Sequence, residues 1–182
     1  MDLHEKTQKQ KYIFNGRIIN LRVDEAILPN GNECIREVVE HPGGVSVAAL
    51  TDNNELLFVK QFRYPFSEVV LELPAGKLEK GEDPFEAGKR ELEEETGARA
   101  SRYYDLGKTY PTPAYCSEAI YLYAATGLEF SDQHLDDDEF LSVEKIPLDK
   151  AVEMVLNNQI YDLKTQTAIL KLKNLIEQGK IL

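Results

Sequence analysis

Tryptophan is absent and cysteine is scarce: the 182 residues hold only Cys34 and Cys116, 82 positions apart. Neither shows the CxxC or Cys/His spacing of a zinc site, so both read as reduced, structural side chains. Long apolar runs are missing as well. The longest stretches, such as Val45 to Leu50 with Ser46 inside it, fall far below the roughly 18 residues that span a bilayer. The first eleven residues, MDLHEKTQKQK, lack the apolar core and small-residue cleavage site of a secretory signal. A soluble, cytoplasmic protein without a membrane partner is therefore expected. Positive charge is in short supply: 21 Lys and Arg stand against 32 Asp and Glu, a net charge of -11. That balance argues against a general electrostatic grip on nucleic acid. An anionic ligand would need local help from divalent cations or a few placed arginines. No internal repeat, Ser/Gly linker or low-complexity tract marks a boundary, so one domain over residues 1–182 is expected.

What is present suits a globular core, with 42% apolar and 29% charged residues. Arg17 to Leu28 and Cys34 to Glu40 flank Pro29-Asn30-Gly31 and read as a hairpin. Val45 to Leu50 and Leu56 to Phe62 read as strands joined by the turn-like Thr51-Asp52-Asn53-Asn54, and Val69 to Leu73 as a short strand stopped by Pro74. Asp83 as N-cap, Pro84 in the first turn, Glu86 three residues past the cap and Gly97 after the last turn punctuate a helix from about Pro84 to Thr96. Extended segments follow near Tyr103 to Lys108, Ala119 to Ala125 and Phe140 to Lys145. Amphipathic helices close the chain over about Leu148 to Asn157 and Leu163 to Gln178. This order predicts a mixed sheet covered on both faces, an α/β/α sandwich of the α/β (α+β) class, with an antiparallel strand region over residues 1–42 and the core over 43–182.

On the predicted helix, Glu91, Glu94 and Glu95 fall within an arc of about 100°. Glu93 points the other way, where it solvates the helix. A glutamate-rich face alone is often plain surface. Three carboxylates crowded on one side also repel one another and favour a divalent cation, and an oxygen-only donor set points to Mg²⁺ or Mn²⁺. The surroundings add a fixed pattern: Gly76, five residues, Glu82, seven residues, then Arg90-Glu91-Leu92-Glu93-Glu94-Glu95-Thr96-Gly97. This resembles the Nudix box of the Nudix hydrolases, departing only at Ala98, where that family usually carries a larger aliphatic residue. The resemblance implies an α/β/α sandwich and metal-dependent cleavage of a nucleoside diphosphate linked to another moiety. It further implies Glu91 and Glu95 as metal ligands and Glu94 as a ligand or holder of metal-bound water. Glu82 would be a supporting carboxylate, Arg90 would orient the glutamates, and the Ala75 carbonyl would be a further metal oxygen.

Resemblance extends to the bacterial ADP-ribose pyrophosphatases through Leu28-Pro29-Asn30-Gly31, His41-Pro42-Gly43, Val59-Lys60-Gln61-Phe62-Arg63, Glu72-Leu73-Pro74-Ala75-Gly76 and Asp137-Asp138-Glu139-Phe140. Pro113, fifteen residues past the box, is a further mark, although Ala114 stands where that group usually has glycine. The implied reaction turns ADP-ribose and water into AMP and ribose 5-phosphate, with hydrolysis of another nucleoside diphosphate sugar as the alternative. A non-catalytic nucleotide-sensing module would typically have lost box glutamates, all of which are present. Within this likeness Glu139, in the acidic stretch Asp136 to Glu139, becomes the carboxylate that activates or positions water. Arg63 and Arg36 become candidates to grip phosphate, and Glu72 and Pro113 join them as substrate-side residues. With no tryptophan available, Tyr12 or Phe14 could offer adenine a flat surface. The resembled enzymes are homodimers whose N-terminal strands help build the partner's site, so a homodimer is expected. His4, His41 and His134 are scattered and are assigned no chemistry.

Overall fold

The computed structural model describes residues 2–135 and 139–181. By its internal contacts the chain divides into two compact units. One takes the chain up to Gly43 together with Tyr110–Ala119; the other takes Gly44–Thr109 and the chain from Ile120 onward. That the stretch 110–119 joins the N-terminal strands is something local patterning did not indicate. No helix among the described residues is long and apolar enough to cross a membrane.

The first unit is a three-stranded antiparallel sheet in the order β1-β2-β3, formed by β1 (Lys6–Asn15), β2 (Asn20–Ile27) and β3 (Glu33–Glu40). The expected hairpin is β2 and β3. Its turn closes with Leu28 donating to the Asn32 carbonyl and Gly31 to that of Leu28, both at 2.8 Å, and Gly31 takes φ 88°. Such a left-handed turn position suits a residue without a Cβ. Val39 donates to the Tyr115 carbonyl and accepts from Ser117, which ties the 110–119 segment to β3. Cys34 and Cys116 are free thiols.

The second unit carries a mixed four-stranded sheet in the order β7-β4-β9-β8. Its strands are β4 (Gly44–Ala49), β7 (Ala75–Lys77), β8 (Ala98–Thr109) and β9 (Ile120–Phe130), with only β4 and β9 parallel. An antiparallel sheet of β10 (Leu141–Pro147), β5 (Glu55–Arg63) and β6 (Glu68–Glu72) completes its strands. The helices are α1 (Pro84–Thr96), α2 (Leu148–Leu156) and α3 (Leu163–Glu177).

Side chains alternate across a strand with period two, and β4 uses both faces. Val47 and Ala49 pack in one cluster with Leu92 of α1. Ala48 and Leu50 pack in the other with Ala151 and Val155 of α2 and Ala168, Ile169 and Leu172 of α3. Two-sided burial explains why β4 reads as an unbroken apolar run, and each fully buried leucine contributes about 2 kcal/mol. The covered sheet is the expected sandwich. It leaves α1 and the β6–β7 turn side by side, which fixes the place of the glutamates.

Candidate active site

The helix α1 begins and ends where its residues dictate. Asp83 accepts from the backbone N–H groups of Phe85 (2.9 Å) and Glu86 (3.3 Å), and Gly97 closes the helix at φ 68°, its N–H bonded to the Glu93 carbonyl at 2.7 Å. The Glu86 carboxylate accepts from Lys89 Nζ at 2.8 Å. Leu92 faces the core, and the same helical turn carries Glu91 and Glu95 inward beside the β6–β7 connection.

Glu91 is only 8% exposed and Glu95 2%. Glu95 Oε2 accepts from the Ala75 backbone N–H at 2.9 Å, so α1 is stitched to the residue that opens β7. Gly76 leaves the room Glu91 needs. A Cβ on Gly76 would stand 1.9 Å from Glu91 Cδ and about as close to both its oxygens. Arg90 collects the remaining carboxylates. Its guanidinium donates to both oxygens of Glu82 at 2.9 and 3.1 Å and to Glu94 at 2.7 Å, and lies 2.9 Å from Glu91. Glu82 also accepts from the Glu79 N–H at 2.9 Å.

Burial pushes the Glu95 carboxyl up to about 8, against a hydrogen bond from Ala75 that lowers it and with the charges of Glu91 and Glu139 adding to the rise. Burial likewise raises Glu91 to about 7, opposed by Arg90 and helped by Glu94 and Glu139. Glu82 is held below the usual carboxylate range by its hydrogen bonds from Arg90. Two inward carboxylates that retain protons near neutrality, beside a backbone turn, are a donor set that fits a hard divalent cation, which would take the place of those protons. Among the described residues, His, Cys, Asp and Glu side chains do not already converge in threes at coordination spacing. Glu91 and Glu94 turn to Arg90, and Glu95 to Ala75.

Arg63 and Glu72 come together. Arg63 donates Nε and Nη2 to the two oxygens of Glu72 at 2.6 and 2.7 Å, and Lys164 of α3 closes on the same carboxylate. Lys164 also pairs with Asp162, the N-cap of α3, at 2.9 Å. Glu72 is 2% exposed, yet its carboxyl lies below the usual range, because the two cations outweigh the effect of burial. The Arg63 side chain remains 37% exposed. Thr165 Oγ1 accepts from the Leu73 N–H at 2.9 Å, so the start of α3 holds the strand that runs into Ala75 and Gly76.

Arg36, Tyr12, Phe14 and Pro113 belong to the other unit. Arg36 donates to Glu5 at 2.8 and 2.6 Å, and Tyr12 to Glu40 at 3.2 Å, while Phe14 is exposed. Asp136, Asp137 and Asp138 of the acidic stretch lie outside the described residues. The sequence reading missed Lys164, Asp162 and Thr165. Asp162 as an N-cap before an amphipathic run was an available signal; the burial of Lys164 left no local trace.

The chain belongs to the Nudix family: the NUDIX domain model matches residues 40–165, and a model for the nucleoside diphosphate sugar hydrolase N-terminal domain matches residues 5–39. Among individual proteins, the chain is 41% identical over 182 residues to the ADP-ribose pyrophosphatase of Bacillus subtilis, covering 98% of each. It is 44% identical over 167 residues to the methanol dehydrogenase activator of Bacillus methanolicus, covering 91% of this chain and 90% of that one. A crystal structure of an ADP compounds hydrolase superposes with a TM-score of 0.85 over the full length of both chains at 20% identity, which shows the shared fold.

Proposed function

We propose that this protein hydrolyses the pyrophosphate bond of ADP-ribose to AMP and ribose 5-phosphate. It is a hydrolase acting on phosphoric anhydrides. The observation that supports the reading most is the Arg90 clamp on Glu82, Glu91 and Glu94, with Glu95 buried against Ala75. Enzymes of this family work with divalent metal ions, and the ion here is Mg²⁺, with Mn²⁺ as a substitute. Glu91, Glu94, Glu95 and the Ala75 carbonyl would hold it. When bound, it supplies a Lewis acid that spreads the diphosphate charge.

The chain's own groups do the rest. Arg90 fixes the carboxylate geometry, and Glu82 anchors Arg90. Glu139 takes a proton from the attacking water as its oxygen bonds to one phosphorus and the bridging P–O bond breaks. Arg63 has five N–H donors, more than Glu72 engages, and meets a phosphate; Glu72 holds Arg63 in place. Arg36, Pro113 and Tyr12 or Phe14 serve the nucleotide and sugar ends, in a cytoplasmic homodimer. Another nucleoside diphosphate sugar is the second reading, favoured by the description of the N-terminal match and by Ala114.

Incubation with ADP-ribose and Mg²⁺ in oxygen-18 water, followed by mass analysis, tests the assignment. AMP and ribose 5-phosphate are expected, one of them labelled. Glu91→Gln and Glu95→Gln should each lower kcat about a thousandfold with the fold retained. Cleavage of a GDP- or UDP-linked hexose far faster than ADP-ribose would replace the substrate, and full activity in either variant would remove the metal assignment.

A further inference from the structure

The start of α3 carries Asp162, Lys164 and Thr165, and each side chain has a fixed partner. Asp162 caps the helix, its Oδ2 accepting from the Thr165 N–H at 2.9 Å, while its Oδ1 stands 2.9 Å from Lys164 Nζ. Thr165 Oγ1 accepts from the Leu73 N–H at 2.9 Å, which fastens the helix start to the residue just past β6. Lys164 is thereby held beside Glu72, the residue before Leu73, and donates to its Oε2. The Lys164 side chain is only 10% exposed, so its ammonium has little water to turn to.

The same segment leads without a break into the site. Pro74 gives its carbonyl to the Val47 N–H at 2.9 Å and to Ser46 Oγ at 3.1 Å, and the Ala75 N–H donates to Glu95. Three residues of chain, at most about 11 Å, separate Glu72 from Ala75. Arg63 docks on Glu72 with Nε and Nη2, and its Nη1 makes no hydrogen bond to another described residue. One edge of the guanidinium is bound and the other is open.

Charge decides what the open edge can do. A bidentate arginine–carboxylate pair largely cancels its own field, so Arg63 with Glu72 alone would attract a phosphate weakly. Lys164 brings a second positive charge to the same carboxylate in buried surroundings, where such interactions are strong. Asp162, the more exposed of Lys164's two partners, takes part of that charge back.

We propose that Lys164 is a positioning residue for Arg63: by sharing the Glu72 carboxylate it fixes the seat of the guanidinium and keeps its open edge positive for a phosphate of the substrate. The inference rests on the role given above to Arg63.

The test is steady-state kinetics on the full chain with ADP-ribose and Mg²⁺. Lys164→Met removes the ammonium while Arg63 keeps Glu72 paired, and is expected to raise KM about tenfold with kcat within about twofold of the parent. Lys164→Gln should repeat the pattern. Asp162→Asn keeps a good N-cap and removes only the opposing charge, so it should lower KM about threefold, a gain that structural damage does not produce. Arg63→Lys, a point charge in place of the fork, should raise KM at least about tenfold, and adding Lys164→Met to it should cost less than about a further twofold. Parental KM in both Lys164 variants, losses that multiply in the double variant, or an unchanged or raised KM in Asp162→Asn would overturn the positioning role while leaving Arg63 in its own. Parental KM in Arg63→Lys alone takes Arg63 off the phosphate, and the role of Lys164 with it.

Discussion

A single missing side chain governs the floor of the site. Gly76 has no positive φ to defend, so alanine is acceptable to its own backbone, and the three atoms nearest an added Cβ all belong to the Glu91 carboxylate. Gly76→Ala should therefore drive the Glu91 carboxylate out of its place without unravelling β7. The expected result is a loss of at least about a hundredfold in kcat with weakened Mg²⁺ binding. Steady-state kinetics beside a metal titration checks it, and a variant with parental values of both would remove Gly76 from the site. Glycine appeared in the motif as a symbol; the structure supplies its reason. Glu72 and Lys164 show the opposite situation. Each is charged and deeply buried, and they are tolerable only because Arg63 and Asp162 complete an alternating set of charges.

Among the elements, α1 was the most legible, because its instructions are local. Asp83, Pro84 and Gly97 each act within a few residues of where they stand. Asp83→Ala should cost about 1 kcal/mol, lowering the melting temperature by roughly 2–4 °C and leaving kcat unchanged. Calorimetry and a rate measurement check both halves, and an unchanged melting temperature would take Asp83 out of the helix's stability. Strands that depend on distant partners were harder to read. β1 was missed as a separate strand: its apolar residues sit only at Tyr12 to Phe14, all ten of its residues are exposed, and pairing with β2 is what extends it. β7 is three residues long, too short to show a period, and forms because Val45 and Ser46 of β4 lie opposite it. β8 and β9 run several residues beyond the predicted ends, since each prolongs the other's ladder from Ala98↔Phe130 to Thr109↔Ile120. The glutamate face of α1 was visible at once from its spacing. The contact of Lys164 with Glu72 joins residues 92 positions apart, and no local pattern encodes it.

At the scale of the whole chain, the two family models meet between residues 39 and 40, whereas the division by internal contacts falls after Gly43 and gives Tyr110–Ala119, which the NUDIX model covers, to the N-terminal unit. The N-terminal unit exposes Tyr12, Ile13, Phe14, Ile18, Ile19 and Ile35. Apolar side chains left in water on one small sheet suit a surface that a second copy would cover. Sedimentation velocity is expected to return twice the mass of one chain at micromolar concentration, in keeping with the proposed homodimer. A single species at the mass of one chain would refute it.

The Arg90 guanidinium reaches Glu82, Glu91 and Glu94 at once. A fork with several donors can surrender one carboxylate and keep the others, so any one glutamate can turn toward an incoming ligand without stranding the cation or its neighbours. A lysine at this place would be a point charge and would have to choose. In the proposed site the arginine would be a ledge from which anions step off singly, sparing the acidic cluster the mutual repulsion of letting go together.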